Sequence, residues 1–554
     1  MRITLGKNIV LTFLMPVLFG ACALLAADKA DKNAGQLSGT VRSVKGEPMA
    51  AIPVQASLQD KNITQVVYTN RDGKYAFREL PQGSHTVNIH VAGFEQVKKE
   101  AVKVAASKTK DVDFILQPSP PSIREMTSSE IALSLPGTGQ QRATLVQCSN
   151  CHSLAFALQK RRDRQGWIQM IEKMRGITPS GVMQPVEAMP GILQRSKEEN
   201  EQLAEFLAAV RGPDSPELPY KLLPRPTDNA STRLAITEYH IPRGNIPVTI
   251  RGDVRGAWLH DVIRDPKTGY VWYTDHFTSV LGRLDPKTGE IKEFPYPHAK
   301  PGKQDGALQV TLDRDGNVWL GLIWQGTIAR FDPRTEKFTE WTIAEDAQAG
   351  FLALDSAGLV WFSSSRTNSI YKLETQTSQF AKFTIPTKNA QNYGMGLDSQ
   401  GRVYSCEMGA GKIGRFDPKT EKFAEWPTPT PDSMPRRPAI DAQDRLWFAE
   451  FSGDRIGLFD PKTETIREWK LSDNPYTSPY IVAVDNKSHV VWATDFNSNL
   501  IYRFDIKTQK FTKFLLPEPD IEIRHLYMDE STTPGTLWIP DYSPPGKILR
   551  LQAW

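Results

Sequence analysis

Asp441-Ala-Gln-Asp-Arg-Leu-Trp-Phe-Ala-Glu450, followed by Asp460-Pro-Lys-Thr463 and Ile466-Arg-Glu-Trp469, decides the fold because the phrase keeps returning. Its Leu446-Trp447 pair recurs as Val271-Trp272, Val318-Trp319, Val360-Trp361, Val403-Tyr404, Val491-Trp492 and Leu537-Trp538, at intervals of 42–47 residues. The turn recurs as Asp285-Pro-Lys-Thr288, Asp332-Pro-Arg-Thr335 and Asp417-Pro-Lys-Thr420, and the final strand as Ile291-Lys-Glu-Phe294, Phe338-Thr-Glu-Trp341 and Phe423-Ala-Glu-Trp426. A period of this length suits one four-stranded blade of a β-propeller, which buries its faces only by stacking on neighbours. Ile236-Thr-Glu-Tyr239 is a final-type strand that precedes every Val-Trp strand, whereas the blade holding Trp538 ends without one. The early strand is expected to complete the last blade and remove the open edge, giving seven blades over residues 233–554.

Read as inner strands, five of the seven Val-Trp segments place an acid at one position: Asp275, Glu407, Glu450, Asp495 and Asp541; Leu322 and Ser364 hold it in the other two. A repeated acid has a structural use, bonding loop backbones. Residues that break the repeat are the better candidates for binding or catalysis. These are His260, Arg436, Arg437 and His525, accompanied by Asp261, Tyr393, Tyr480 and Arg524. Arginine and histidine among carboxylates suit a small polar ligand or a metal at the channel mouth.

Upstream stands Cys148-Ser-Asn-Cys151-His152, in a chain with only four cysteines. Two thiols at this spacing reach the two vinyl groups of one porphyrin, and the adjacent imidazole is held under the iron, so the motif reads as a c-type haem attachment site. The alternative is a structural disulfide. His152 is then the proximal ligand. Met189-Pro190 resembles the Met-Pro pair that carries the sixth ligand in many cytochromes c, so Met189 is preferred to Met183, with an open or water-ligated iron as the alternative; both methionines lie in a Pro- and Gly-rich loop. Met170 and Met174 fall with Trp167 and Ile171 on the apolar stripe of a helix, which assigns them to the core. Ser196 and Glu199 have capping-box spacing ahead of a helix carrying Leu203, Phe206, Leu207 and Val210 on one face.

The chain of 554 residues, 23% charged with a formal net charge of +4, argues against nucleic acid or an anionic membrane surface as partner. Arg2 and Lys7 precede an apolar run from Ile9 to Ala27, which reads as a signal peptide over residues 1–27. A retained anchor, or lipidation at Cys22, is the alternative. Either way the expected location is periplasmic or otherwise exported.

Three resemblances cover most of the remainder. Residues 37–117 resemble the carboxypeptidase regulatory-like, transthyretin-type β-sandwich through Gly39-Thr-Val41, Thr69-Asn-Arg-Asp-Gly-Lys-Tyr-Ala-Phe77, Leu80-Pro-Gln-Gly83 and Gly93-Phe94. Residues 138–212, around the haem motif and Met189-Pro190, look like a small all-α class I cytochrome c, set between Pro-rich linkers at 117–139 and 213–231. Residues 233–554 resemble the streptogramin (virginiamycin B) lyase-like propellers through the Asp441–Glu450 phrase and Lys412-Ile-Gly-Arg415. The lyase resemblance implies a Glu-x-His pairing near a magnesium ion. No inner strand shows it, since Glu450 is followed by Phe451-Ser452 and Asp275 directly by His276.

The fold class is therefore multidomain and mainly β: sandwich, small helical domain, seven-bladed propeller. The expected function is single-electron transfer through one haem c per chain to a redox partner protein, a dehydrogenase or another cytochrome, with the propeller as a ligand or partner platform. A haem-dependent oxidoreductase or a carbon–oxygen lyase remains the alternative if the chain is an enzyme. Cys406, on a Val-Tyr strand, reads as a small buried hydrophobe.

Overall fold

The computed structural model describes residues 34–554 except 107, 151, 176–195, 244–255, 301–302, 344, 346 and 520. The expected signal segment, Cys151, Met183 and Met189 lie outside the described residues. No described helix is long and apolar enough to cross a membrane.

Seven four-stranded antiparallel sheets follow one another in the C-terminal region. The first six span residues 259–295, 310–342, 352–384, 392–427, 435–470 and 479–515 and are called blades 1–6. Blade 7 takes Tyr527–Asp529, Thr536–Pro540 and Lys547–Ala553, and is completed by Leu234–His240 from the start of the region. That closing strand was legible from the count. Its packing seals the ring: Tyr239, Ile241, Trp538 and Ile548 of blade 7 share a buried cluster with Leu259, Val271 and Tyr273 of blade 1.

The signature residues have defined work. Asp441 turns the chain by accepting from the Gln443 and Arg445 N–H groups at 2.9 and 3.0 Å, and its second oxygen takes the Trp447 indole N–H at 3.0 Å. Asp313 holds Trp319 and Asp355 holds Trp361 in the same way. Each Asp-Pro-Lys-Thr turn is an Asx turn, as where Asp460 accepts from the Lys462 N–H at 2.9 Å.

One expectation is corrected. The Val-Trp strands are second in each sheet, not innermost. The channel is lined by the strand before each, such as Leu259–Arg264 in blade 1 and Pro435–Ile440 in blade 5. These strands shrink to three residues in blades 2, 3 and 7, leaving no periodic signal to read.

The N-terminal domain is a two-sheet sandwich. Lys74–Leu80, Gly35–Ser43 and Thr109–Asp111 form one face, and Ile63–Tyr68, Pro53–Leu58, Gly83–Ile89 and Val97–Val104 the other. Its second sheet does not end at its own edge. Ile63–Tyr68 pairs with Leu234–His240, so sandwich and blade 7 form one eight-stranded sheet. Alternate residues serve two cores: Val67 faces the sandwich, while Val66 and Tyr68 join Ile236, Leu551 and Ala553 in the propeller.

The helical domain comprises Ser128–Ser134, Gly139–Val146, Leu154–Leu158, Arg164–Arg175 and Lys197–Arg211 around Trp167, Leu203, Leu207 and Val210. Ser196 caps the last helix in the capping box with Glu199. Helix Ser128–Ser134 lies inside the stretch read as a linker, and Thr127 and Glu130 form its capping box.

Because Ile236 is 1% exposed and shares a buried cluster with Val66 of the sandwich and Leu551 of blade 7, Ile236→Ala should cost about 2–5 kcal/mol. Calorimetry should show the sandwich and propeller transitions falling together; a shift confined to one domain would contradict the shared sheet.

Candidate functional site

The repeated acids are mostly structural clips. Asp275 accepts from the Phe277, Thr278 and Trp258 N–H groups at 2.8, 3.0 and 3.0 Å. Asp495 takes the Ser478 and Asn497 N–H groups, and Asp541 those of Glu522 and Ser543. Each therefore fastens the segment entering the innermost strand of its blade. Ser364 does the same with its hydroxyl, accepting from the Gln348 N–H at 3.0 Å.

Glu407 and Glu450 differ. Both are fully buried, and among the described residues neither carboxyl group accepts from a backbone N–H as the other acids do. Burial and the neighbouring Glu425 carboxylate push Glu407 up to about 8; burial and Glu468 push Glu450 up to about 9. Blade 1 shows what is missing. There Arg243 sits in a Pro-Arg pair after the preceding blade and bridges Asp275 to Glu293. The corresponding Pro-Thr residues of blades 4 and 5 are Thr387 and Thr430, which bond Glu425 and Glu468 but bring no charge.

The irregular residues do converge. The innermost strands of blades 1, 4, 5 and 6 each carry a register shift near their start, between Leu259/Val262, Asn392/Met395, Arg436/Ala439 and Pro479/Val482. Such bulges re-aim side chains, and within them lie His260, Asp261, Tyr393, Arg437 and Tyr480. Arg437 adopts a φ of 21°, and its backbone presses on Gly394, where a Cβ would stand 2.7 Å from the Arg437 Cα.

Asp261 is the hub. Its carboxylate meets His260 Nδ1 at 2.7 Å, Arg437 Nη2 at 2.9 and 2.7 Å, and His525 Nε2 at 3.5 Å. His525 Nδ1 accepts from the Val262 N–H at 3.3 Å, which fixes its tautomer. Burial, with Arg437 and Arg524 nearby, holds His260 well below the usual imidazole range. Burial outweighs the attraction of Asp261 at His525 and lowers it to about 3. Both rings are therefore neutral at physiological pH and serve as fixed hydrogen-bonding groups.

A second layer is aromatic. Tyr393 and Tyr480 share a 2.6 Å hydroxyl contact, and Arg524 Nη1 donates to the Tyr480 hydroxyl at 3.3 Å. Burial opposes ionisation of Tyr480, but Arg524 and Arg436 outweigh it and hold the phenol below its ordinary value. Arg436 lies 3.7 Å above the Phe451 ring, and Arg524 4.1 Å above Tyr542. His276 Nδ1 reaches the Tyr542 hydroxyl at 2.7 Å. Beneath Arg437 and His525 the channel holds a cavity of about 220 Å³, walled by Gln309, Phe351, Ile481 and Met528. All four predicted candidates thus stand in one place. Tyr542 and His276 were not singled out from sequence, because neither breaks a countable pattern.

The helical domain rests on this same end. Asn474 Nδ2 donates to the Ser129 hydroxyl at 2.9 Å, and the Ser129 N–H donates to the Asn497 carbonyl at 2.8 Å. The Ser153 N–H donates to Glu522 Oε1 at 2.7 Å. Cys148 is half-buried on the turn Gln147–Asn150, and His152 is buried, its Nδ1 lying 3.1 Å from the Ser153 carbonyl. Two arginines that follow the motif are held in structural contacts. Arg161 bonds the Gly212 carbonyl and Glu217, and Arg164 pairs with Glu201. Cys406 is fully buried and free, and burial raises its thiol well above the ordinary value.

Comparison with known proteins agrees with this architecture. Residues 298–545 match the virginiamycin B lyase family, and residues 36–117 the carboxypeptidase regulatory-like domain. Among solved structures, a streptogramin B lyase is similar at 22% identity and a TM-score of 0.51, covering 59% of this chain and 100% of that one. Selenomethionine-substituted virginiamycin B lyase from Staphylococcus aureus is similar at 20% identity and 0.50, covering 58% and 100%. No curated protein matches the chain. At these identities the likeness concerns the fold.

Glu407 and Glu450 give a stability signature. Their folded values lie above the ordinary value of 4.5, so between about pH 4.5 and 9 the folded state binds more protons than the unfolded one. Stability should be greatest below that window and fall as pH rises through it. Glu407→Gln with Glu450→Gln should flatten this slope in calorimetric scans from pH 5 to 9; an unchanged slope would contradict the buried-acid assignment.

Proposed function

We propose that this chain is an exported electron-transfer protein carrying one covalent haem c, with the propeller as the platform that holds a ligand or partner at its channel mouth. The observation that carries this reading is the Cys148-Ser-Asn-Cys151-His152 motif in a small helical domain with His152 buried and oriented. The fit is chemical. An imidazole whose Nδ1 is engaged by a backbone carbonyl has the orientation usual for a ligating histidine. Bound there, haem supplies one-electron exchange at a potential set by its axial ligands and surroundings. Cys148 and Cys151 would hold it covalently, His152 would be the proximal ligand, and Met189 the distal one. A dehydrogenase or another cytochrome is the natural redox partner.

A second reading is favoured by one contact. Glu522, in the segment entering blade 7, bonds the residue next to His152 and lies two positions from Arg524. The polar cluster thus adjoins the haem motif, as a haem-linked oxidoreductase with substrate in the channel mouth would need. Lyase chemistry of the kind named for the similar structures is less well served, because His260 and His525 are locked neutral around Asp261 and no Val-Trp or innermost strand among the described residues carries a Glu-x-His pairing.

Purified protein made with haem-attachment machinery should keep its absorbance through acid–acetone extraction at one haem per chain, and Cys148→Ala with Cys151→Ala should abolish it. A coloured double mutant would refute the assignment. Met189→Ala should remove the far-red sulfur-to-iron band and lower the potential. For the choice between readings, anaerobic mixing with candidate small molecules should leave the haem oxidised unless a dehydrogenase is added. Reduction by a small molecule alone, lost in His260→Ala and His525→Ala, would establish the oxidoreductase instead.

A further inference from the structure

Ser153 is held at every polar group. Its carbonyl faces His152 Nδ1 at 3.1 Å, its hydroxyl caps helix Leu154–Leu158 by accepting from the Phe156 N–H, and its own N–H crosses the domain boundary to Glu522 Oε1 at 2.7 Å. Leu154 is fixed next, its N–H donating to the Ser128 hydroxyl at 3.0 Å. Of these anchors only Glu522 belongs to the propeller. It is buried at 7% exposure, and it is itself positioned: its N–H donates to Asp541, the blade 7 clip, at 3.1 Å. Its other oxygen stands 3.8 Å from Arg524 Nη2. Arg524 in turn donates to Tyr480, lies over the Tyr542 ring, and offers its carbonyl to Arg437.

We infer that Glu522 is a positioning residue for the haem ligand His152, supplied by the propeller, and that through Arg524 it ties the reduction potential of the helical domain to the channel mouth. The inference rests on the haem reading above. A hydrogen bond at the Ser153 N–H fixes the carbonyl that orients the imidazole, so the bond controls ligand geometry. A buried carboxylate bonded to the residue after His152 would favour the ferric state, which carries one more positive charge than the ferrous, and in a low-dielectric seam such a charge is felt strongly. Arg524 offsets part of that charge. An anion that draws Arg524 toward the channel would leave Glu522 less compensated and lower the potential further. The propeller would then act as more than a docking platform, since its occupancy would be read out at the haem.

The test compares Glu522→Gln with Glu522→Ala in the full chain. Glutamine keeps an acceptor for the Ser153 N–H and removes only the charge; alanine removes both. Glu522→Gln should retain one covalent haem and an unchanged helical signal, and raise the ferrous-to-ferric ratio at a fixed poise about tenfold, equivalent to 59 mV for one electron. Glu522→Ala should add a change in the axial-ligand bands that Glu522→Gln lacks. An unmoved potential in Glu522→Gln, with haem and fold intact, would overturn the inference alone. Absence of covalent haem from the unaltered chain would overturn the haem reading and the inference together.

Discussion

The strand Leu234–His240 is bound along both edges, and the rest of the molecule is organised around that fact. On one side Lys547–Ala553 takes it as the fourth strand of blade 7; on the other Ile63–Tyr68 extends the same sheet into the sandwich. An exposed strand edge invites pairing with another chain. Ring closure removes one such edge, and the sandwich covers the next. The polar residues at the join reinforce it. Lys547 reaches Glu238 at 2.8 Å and Glu518 at 2.7 Å, and Asn62 Nδ2 donates to the His240 and Gly289 carbonyls. Burial works against the charge on Lys547, but the two carboxylates outweigh it and hold the amine above its ordinary range.

This frame places the helical domain. The segment after it runs back between its first helix and the sandwich, with the Leu223 N–H on Glu130 and Arg225 over the Phe94 ring. All three domains therefore meet on one side of the propeller. The His152 segment lands on blade 7, the blade that is also shared with the sandwich. A ring whose blades 1, 4, 5 and 6 are bulged toward the axis presents its polar cluster on that same end. Blades 2 and 3, with three-residue innermost strands, contribute less to it.

How much of this the sequence discloses depends on whether a residue obeys the repeat. The blades are legible because Asp313, Asp355 and Asp441 each receive a tryptophan N–H six positions on, a local bond that leaves a fixed spacing. His260, Arg436, Arg437 and His525 are legible for the opposite reason, as departures from that spacing. Strand order within a blade is not, since the innermost strands are short and varied; the regular Val-Trp strand takes the place of the innermost in the sequence pattern but stands second in the sheet. The pairing of Ile63–Tyr68 with Leu234–His240 leaves no signal beyond an ordinary alternation. Glu522 is a single acid in a segment without periodicity, and only the contact with Ser153 distinguishes it.

The closing strand also imposes an order on assembly. Glu238 meets Lys547 across 309 positions of chain, so during synthesis the outer strand of the last blade is made first and its partner strand last. For most of that interval it has only Ile63–Tyr68, already synthesised, to pair with. Contacts of such long range are slow to form. The sandwich can therefore act as a resident template, holding the strand in register and shielded while six blades accumulate behind it. On this view the N-terminal domain contributes a folding service, carried out before the mature molecule exists.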